Sequence, residues 1–185
     1  MAGRVCPVWI GYLMLNPLRK LMENPERIFG PYIREGGWIL EPGCGTGYFT
    51  LPLARMAGPE GRVIAVDLQD KMLDVVRRRA VKAGLSERID LRRAEAAGMG
   101  VDDLAGRIDL AVAMHMVHEV PDKAAFFRDT HAALKPGGRL LMVEPRGHTS
   151  REDFETLVGL AVKTGLQSES ASVNRFSRRA VFVKT

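Results

Sequence analysis

Short apolar runs alternate with stretches of helical periodicity along most of the chain. Trp38–Glu41, Arg62–Asp67, Ile89–Arg92, Leu110–Met114 and Arg139–Val143 read as strands. Several of them ("RVIAV", "LAVAM", "RLLMV") are apolar at successive positions rather than at every second one, the pattern of parallel strands covered on both faces. Between them, Asp70–Ala83 places Met72, Leu73, Val76 and Ala80 on one stripe, with Gly84 as a stop. Asp122 is positioned to cap a helix carrying Phe126, Phe127, Ala133 and Leu134, which "KPGG" ends. Asn24 followed by Pro25 opens a helix ahead of the first strand. A last helix is expected around Asp153–Lys163, then two strands, "LQSESASV" and "RRAVFVKT", which turn through Asn174 and so run antiparallel. The alternation predicts an α/β fold. We expect a doubly wound, Rossmann-like and mostly parallel seven-stranded sheet, closed by an antiparallel C-terminal pair, in one domain over residues 1–185.

Composition narrows the function classes. The chain has 185 residues, 46% hydrophobic and 26% charged, enough for a core without staples. Its net charge of +5 raises the question of nucleic acid. The densest basic run, Arg77-Arg78-Arg79, lies in an expected helix with no interleaved aromatics, so a solvated helix face is expected and a nucleic-acid partner is not. Cys6 and Cys44 make neither a metal spacing nor a disulfide framework, which argues for a reducing, cytoplasmic setting and for no bound metal. The apolar stretch Val8–Leu15 is too short for a bilayer, which takes about 20 residues, and lacks a cleavage signal, so no membrane partner is expected.

The chemistry gathers at "ILEPGCGTGYF", residues 39–49, where glycines stand at alternate positions after an apolar run. So much bare backbone costs conformational entropy, and it signals a sharp turn or a close approach. Dinucleotide loops read G-x-G-x-x-G. Here the third glycine, Gly47, comes one residue early, and bulky Tyr48 follows it. The next strand ends on Asp67, placed to accept both hydroxyls of a ribose, while Asp70 is better placed to cap the following helix.

With these motifs the sequence resembles the class I S-adenosylmethionine-dependent methyltransferases, in particular the small-molecule group that includes ubiquinone and arsenite enzymes. "ILEPGCGTGYFT", "VIAVDLQDKML", "RRAEAAGM", "IDLAVAMHMVHEVPD" and "LKPGGRLLMVEP" follow one another at the family's intervals over residues 36–185. The resemblance implies S-adenosylmethionine as cofactor and a small molecule as methyl acceptor. It implies that Glu41 anchors the methionine end of the cofactor and that Gly43, Gly45 and Gly47 let that end lie on the backbone. Asp67 would hold the ribose, Leu68 would flank the adenine, and Glu95 with Ala96 (or, in a second register, Arg93) would meet its amino group. Ala113 to His115 would lie beside the sulfonium. Three carboxylates suit a cationic ligand and would repel a pyrophosphate. A lid over cofactor and acceptor would come from residues 1–35, with Tyr12 or Tyr32 near the acceptor.

A base is needed only where the acceptor must lose a proton. His118 and His115 in "MHMVHEV" are the catalytic candidates, because imidazole titrates near neutrality; shaping of the loop is the other reading for His118. Glu144 either lines the acceptor pocket or caps a turn. His148 has no second signal, and His131 falls on the outer face of a helix. Arsenite chemistry needs more thiolates than Cys6 and Cys44 supply. An RNA or protein methyltransferase and an NAD-dependent oxidoreductase are the competing classes.

Overall fold

A computed structural model describes residues 19, 23–95 and 98–185. Strands β1 (Trp38–Pro42), β2 (Arg62–Asp67), β3 (Ile89–Arg93), β4 (Ile108–Met114), β5 (Leu134–Pro145), β6 (Leu166–Val173) and β7 (Ser177–Lys184) form a seven-stranded sheet in the order β3-β2-β1-β4-β5-β7-β6. The expected α/β architecture is therefore observed. By compactness the described residues divide into two units, one up to residue 95 and one over residues 98–185.

In the first unit β1 pairs with β2 and β2 with β3, all parallel. Ile39, Leu40 and Val63 to Val66 are buried, as an apolar run with no alternation requires. The helical elements are α1 (Pro25–Phe29), α2 (Thr50–Met56) and α3 (Asp70–Ala83). Asn24 caps α1 as expected, its side chain accepting from the Glu26 and Arg27 N–H groups. Helix α3 turns Met72, Leu73, Val75, Val76 and Ala80 inward and stops at Gly84, whose φ of 66° is left-handed. Two details differ from expectation. The N-cap of α3 is Gln69, with Asp70 inside the first turn. The stretch "YFTLPLARMA" after the glycine loop reads as helix from Tyr48, yet the helix begins only at Thr50, because residues 45–49 are used in turns.

In the second unit β4 and β5 are parallel, while β7 runs antiparallel to both β5 and β6. Helices α4 (Lys123–Ala133) and α5 (Arg151–Lys163) complete it. Phe127, Leu140, Leu141, Met142 and Phe182 are fully buried, each contributing about 1.5–3 kcal/mol relative to exposure. Asp122 caps α4 by accepting from the Ala125 N–H. "KPGG" does not end that helix: Leu134 has already turned extended (φ −66°, ψ 141°) and pairs with Ile108, so the segment opens β5. The end of α4 is served from the far end of the chain, where Lys184 Nζ donates to His131 O and to the O of Leu134, the first residue of β5, at 2.8 Å each. Helix α5 starts at Arg151, two residues earlier than expected, because Ser150 and Asp153 form a reciprocal capping box.

Candidate functional site

The first unit carries a cradle at the carboxyl ends of β1 and β2. Register pairs Glu41 with Ala65 and Pro42 with Val66, so the loop after β1 emerges beside Asp67. Cys44 N–H donates to Val66 O at 3.0 Å, and Gly45 N–H donates to Asp67 Oδ2 at 2.9 Å. Arg79, from α3, donates to Thr46 O and holds the loop from the other side. One arginine of the basic run is thus spent on the loop, and Arg77 pairs with Asp74; the run is not simply a solvated face.

The glycines answer two different demands. A Cβ on Gly47 (φ +76°) would meet Val76 Cγ2 at 3.0 Å, so this position exists for the packing of α3. A Cβ on Gly45 (φ +52°) would meet nothing within 4 Å, so bareness there keeps space open above the loop. Gly43 is exposed, with φ 68°. Tyr48, the residue that departs from the dinucleotide pattern, donates its hydroxyl to Glu23 O at 3.1 Å while Arg19 lies 4.3 Å over its ring.

Glu41 is 3% exposed, and burial, offset by Thr50 and reinforced by the Asp67 charge, pushes its carboxyl up to about 8. Neither Glu41 Oε2 nor Thr50 Oγ1 has a hydrogen-bond partner among the described residues. A buried carboxyl oxygen left this way costs about 1–3 kcal/mol, a cost that a cationic ligand group would remove. Asp67 is also raised by burial, an effect held back by the Gln69, Gly45 and Leu68 N–H groups. Its Oδ1 accepts from Gln69 N–H at 2.9 Å. Of these N–H groups, Gly45 and Gln69 donate at 2.9 Å; a carboxylate has about four acceptor positions, so acceptor capacity remains for hydroxyls. Leu68 beside it is 44% exposed, an apolar side chain offered to solvent. Burial, then the charges of Glu41 and Asp67, push the Cys44 thiol well above its ordinary value, which makes it a packing group. These residues fit a ligand with a cationic end and a ribose.

The third-motif residues are less informative. Glu95 is exposed, Arg93 pairs with Asp70 at 3.4 Å, and Ala96 lies outside the described residues. The expected lid falls largely outside them too, Tyr12 included; of its apolar residues, Phe29 is fully buried and packs edge-on to Phe49 at 5.3 Å between ring centroids.

The second unit carries a histidine–carboxylate cluster at the ends of β4 and β5. Ala113 is fully buried on β4. His115 follows with φ 59°, the one non-glycine residue of positive φ among those described, its N–H donating to Val143 O at 2.7 Å. Glu144 is fully buried. Its Oε1 accepts from Val117 N–H at 2.8 Å, its Oε2 from Thr149 Oγ1 at 3.2 Å, and the same Oε2 meets His118 Nδ1. Glu144 thus ties the turn after β4 to Thr149 and reaches a histidine. Reading the sequence missed this pairing, because its only written signal is acid and histidine at the ends of neighbouring strands. His148 stacks edge-on to His118 at 5.5 Å. His131 is not on a free outer face; it is half-buried, and its ring comes within 3.1 Å of where a Gly165 Cβ would stand.

The fold is a doubly wound α/β one, and the residues of its cradle fit a nucleoside ligand with a cationic end. Residues 39–138, more than half of the chain, match the methyltransferase domain family, and the chain belongs to that family, within the class I S-adenosylmethionine-dependent group. It is 34% identical over 112 residues to a ubiquinone/menaquinone biosynthesis C-methyltransferase of Pasteurella multocida, covering 60% of this chain and 41% of that protein. With a ubiquinone biosynthesis O-methyltransferase of Methylocella silvestris it shares 36% identity over 134 residues, 71% of this chain and 50% of that one. The chain thus spans about half the length of the curated relatives it matches. Among solved structures, a SAM-dependent methyltransferase from Aquifex aeolicus superposes with a TM-score of 0.86 at 18% identity, covering 98% of this chain and 100% of that one. A geranyl diphosphate C-methyltransferase from Streptomyces coelicolor gives 0.72 at 14%, covering 88% and 75%. At those identities the structures speak for the fold alone.

Proposed function

We propose that this chain transfers a methyl group from S-adenosylmethionine to a small-molecule acceptor. The observation that carries the reading is the pair of carboxylates on neighbouring strand ends: Glu41, buried with an unpartnered oxygen, and Asp67, which keeps acceptor capacity beyond its backbone donors. Glu41 would take the ammonium of the cofactor and Asp67 its ribose hydroxyls. Gly43 and Gly45 would leave the loop backbone open to the methionine end while Gly47 lets α3 pack beneath it, and Leu68 would cover one face of the adenine, with Glu95 and Ala96 toward its amino group. When bound, the cofactor supplies a methyl carbon with a good leaving group, so alignment can provide several kcal/mol of rate enhancement. Ala113 and His115 would border the reacting centre, and His118 would receive a proton from acceptors that carry one. Relatives named for ubiquinone and menaquinone biosynthesis support a small-molecule acceptor. A reducing, cytoplasmic setting belongs to the same proposal, supported by a sequence whose two cysteines make no disulfide framework.

Calorimetry with adenosylhomocysteine tests the reading. The native chain is expected to bind, and Asp67→Ala to lose roughly tenfold to a hundredfold in affinity, the worth of hydrogen bonds to a charged group. Equal affinity in a variant that keeps its melting temperature, or tighter binding of NADH, would overturn it. Labelled adenosylmethionine incubated with a metabolite extract then identifies the acceptor.

A further inference from the structure

We propose that Glu144 sets the tautomer of His118, leaving Nε2 as the proton acceptor for a substrate whose attacking atom carries an ionisable hydrogen. The inference rests on the methyl-transfer reading and deepens it by naming the substrate class. Glu144 is fully buried, and its two oxygens are assigned by their neighbours. Val117 N–H can only donate, and it holds Oε1 at 2.8 Å. Thr149 Oγ1 donates to Oε2 at 3.2 Å, and the Arg178 guanidinium fixes Thr149 in turn through its backbone oxygen at 2.7 Å. A carboxylate that already receives an N–H and an O–H is built as an acceptor, so the Nδ1 that meets Oε2 carries the ring hydrogen. In a neutral imidazole the other nitrogen then holds the lone pair. His118 is 17% exposed at its side chain, so the ring is partly open to solvent. The groups around it are Glu144, Glu119, whose Oε1 lies 3.8 Å from Nε2, and the ring of His148.

The step balances without a further reactant. The acceptor X–H gives its proton to Nε2, its electron pair forms the bond to the methyl carbon, and the pair of the broken carbon–sulfur bond stays on sulfur. The imidazolium then returns its proton to water. An acceptor with no hydrogen on the attacking atom, such as a thioether or tertiary amine, would draw nothing from this arrangement. Hydroxyl, protonated amine and acidic C–H acceptors would. Glu144 acts through His118 and is a positioning residue.

Glu144→Gln gives a sharp test. Because Val117 N–H claims the side-chain carbonyl oxygen, the new amide group must face His118 and donate to Nδ1. The variant is expected to invert the tautomer and place the hydrogen on Nε2. Nitrogen-15 spectra of histidine-labelled protein, recorded without cofactor or acceptor, should show Nε2 unprotonated in the native chain and Nδ1 unprotonated in the variant. Label transfer from adenosylmethionine to a metabolite extract should fall about a hundredfold or more, while adenosylhomocysteine affinity stays within twofold. Should Glu144→Gln fail to fold, Glu144→Asp withdraws the carboxylate by one methylene and should mix the two tautomers. A native spectrum with Nδ1 unprotonated, an unchanged tautomer in the variants, or full transfer rate with the tautomer inverted would overturn the inference. Loss of adenosylhomocysteine binding in the native chain would instead strike the methyl-transfer reading, since the tautomer is read without any ligand.

Discussion

At the scale of residues, Glu41 governs a measurable pH response. Its ordinary value is 4.5 and burial carries it to about 8, so between those limits the folded chain keeps a proton that the unfolded chain releases. Its contribution to stability is therefore complete below about pH 4.5, declines as pH rises, and is lost above about pH 8. Urea denaturation at pH 5, 7 and 9 should show Glu41→Gln to be least different from the native chain at the acid end and relatively more stable at pH 9. A cation placed against this carboxyl reverses the effect of burial. Calorimetry at pH 7 in buffers of different ionisation enthalpy should record proton release when adenosylhomocysteine binds, and none in Glu41→Gln. Binding with no proton exchange in the native chain would separate Glu41 from the ammonium.

At the scale of elements, the loop between β1 and α2 invites a paired experiment. Gly47→Ala drives a methyl against Val76 at 3.0 Å in a left-handed backbone, and a loss of about 1–3 kcal/mol is expected from the clash. Gly45→Ala meets open space and should cost only about 1–2 kcal/mol for its positive φ. The order should invert for adenosylhomocysteine affinity, where Gly45→Ala loses more because its methyl fills the space above the loop. Equal losses in both assays would show that the two glycines serve one purpose. Both glycines are visible in the sequence, but their difference is not, because it depends on α3 passing one of them and not the other. The bounds of α3 were legible throughout, since an apolar stripe and a glycine stop are local signals. The start of α5 was not read, although Ser150 and Asp153 stand three apart as a capping box requires. "KPGG" misled, because the pairing of Leu134 with Ile108 overrides a local turn signal.

At the scale of the whole molecule, the sheet is unevenly protected. In β6 only Leu166 is buried, whereas β5 and β7 keep Leu140 to Val143 and Ala180 to Phe182 from solvent. Hydrogen exchange should therefore release β6 amides well before those of β5, with local opening far below the global free energy. Uniform protection across both strands would contradict this. The net charge of +5 is similarly uneven in its use, since Arg79, Arg92, Arg139 and Lys135 are each engaged with a backbone or carboxylate partner.

The amino-acid order by itself determined most of the elements, the α/β class and which residues gather at the carboxyl ends of β1 and β2. Apolar runs, caps and glycines act within a few residues, and Gly45 and Asp67, though 22 residues apart, lie in the loop after β1 and at the end of β2, successive strands whose adjacency the fold class already implies. Two things were decided only in three dimensions. Glu41 holds its proton because of what surrounds it, and burial is a property of neighbours rather than of composition. Glu144 meets His118, 26 residues away, because the parallel register sets Met114 beside Val143 and delivers both side chains to one edge. Register is fixed by packing along whole strands, so no local pattern could announce which acid would face which ring.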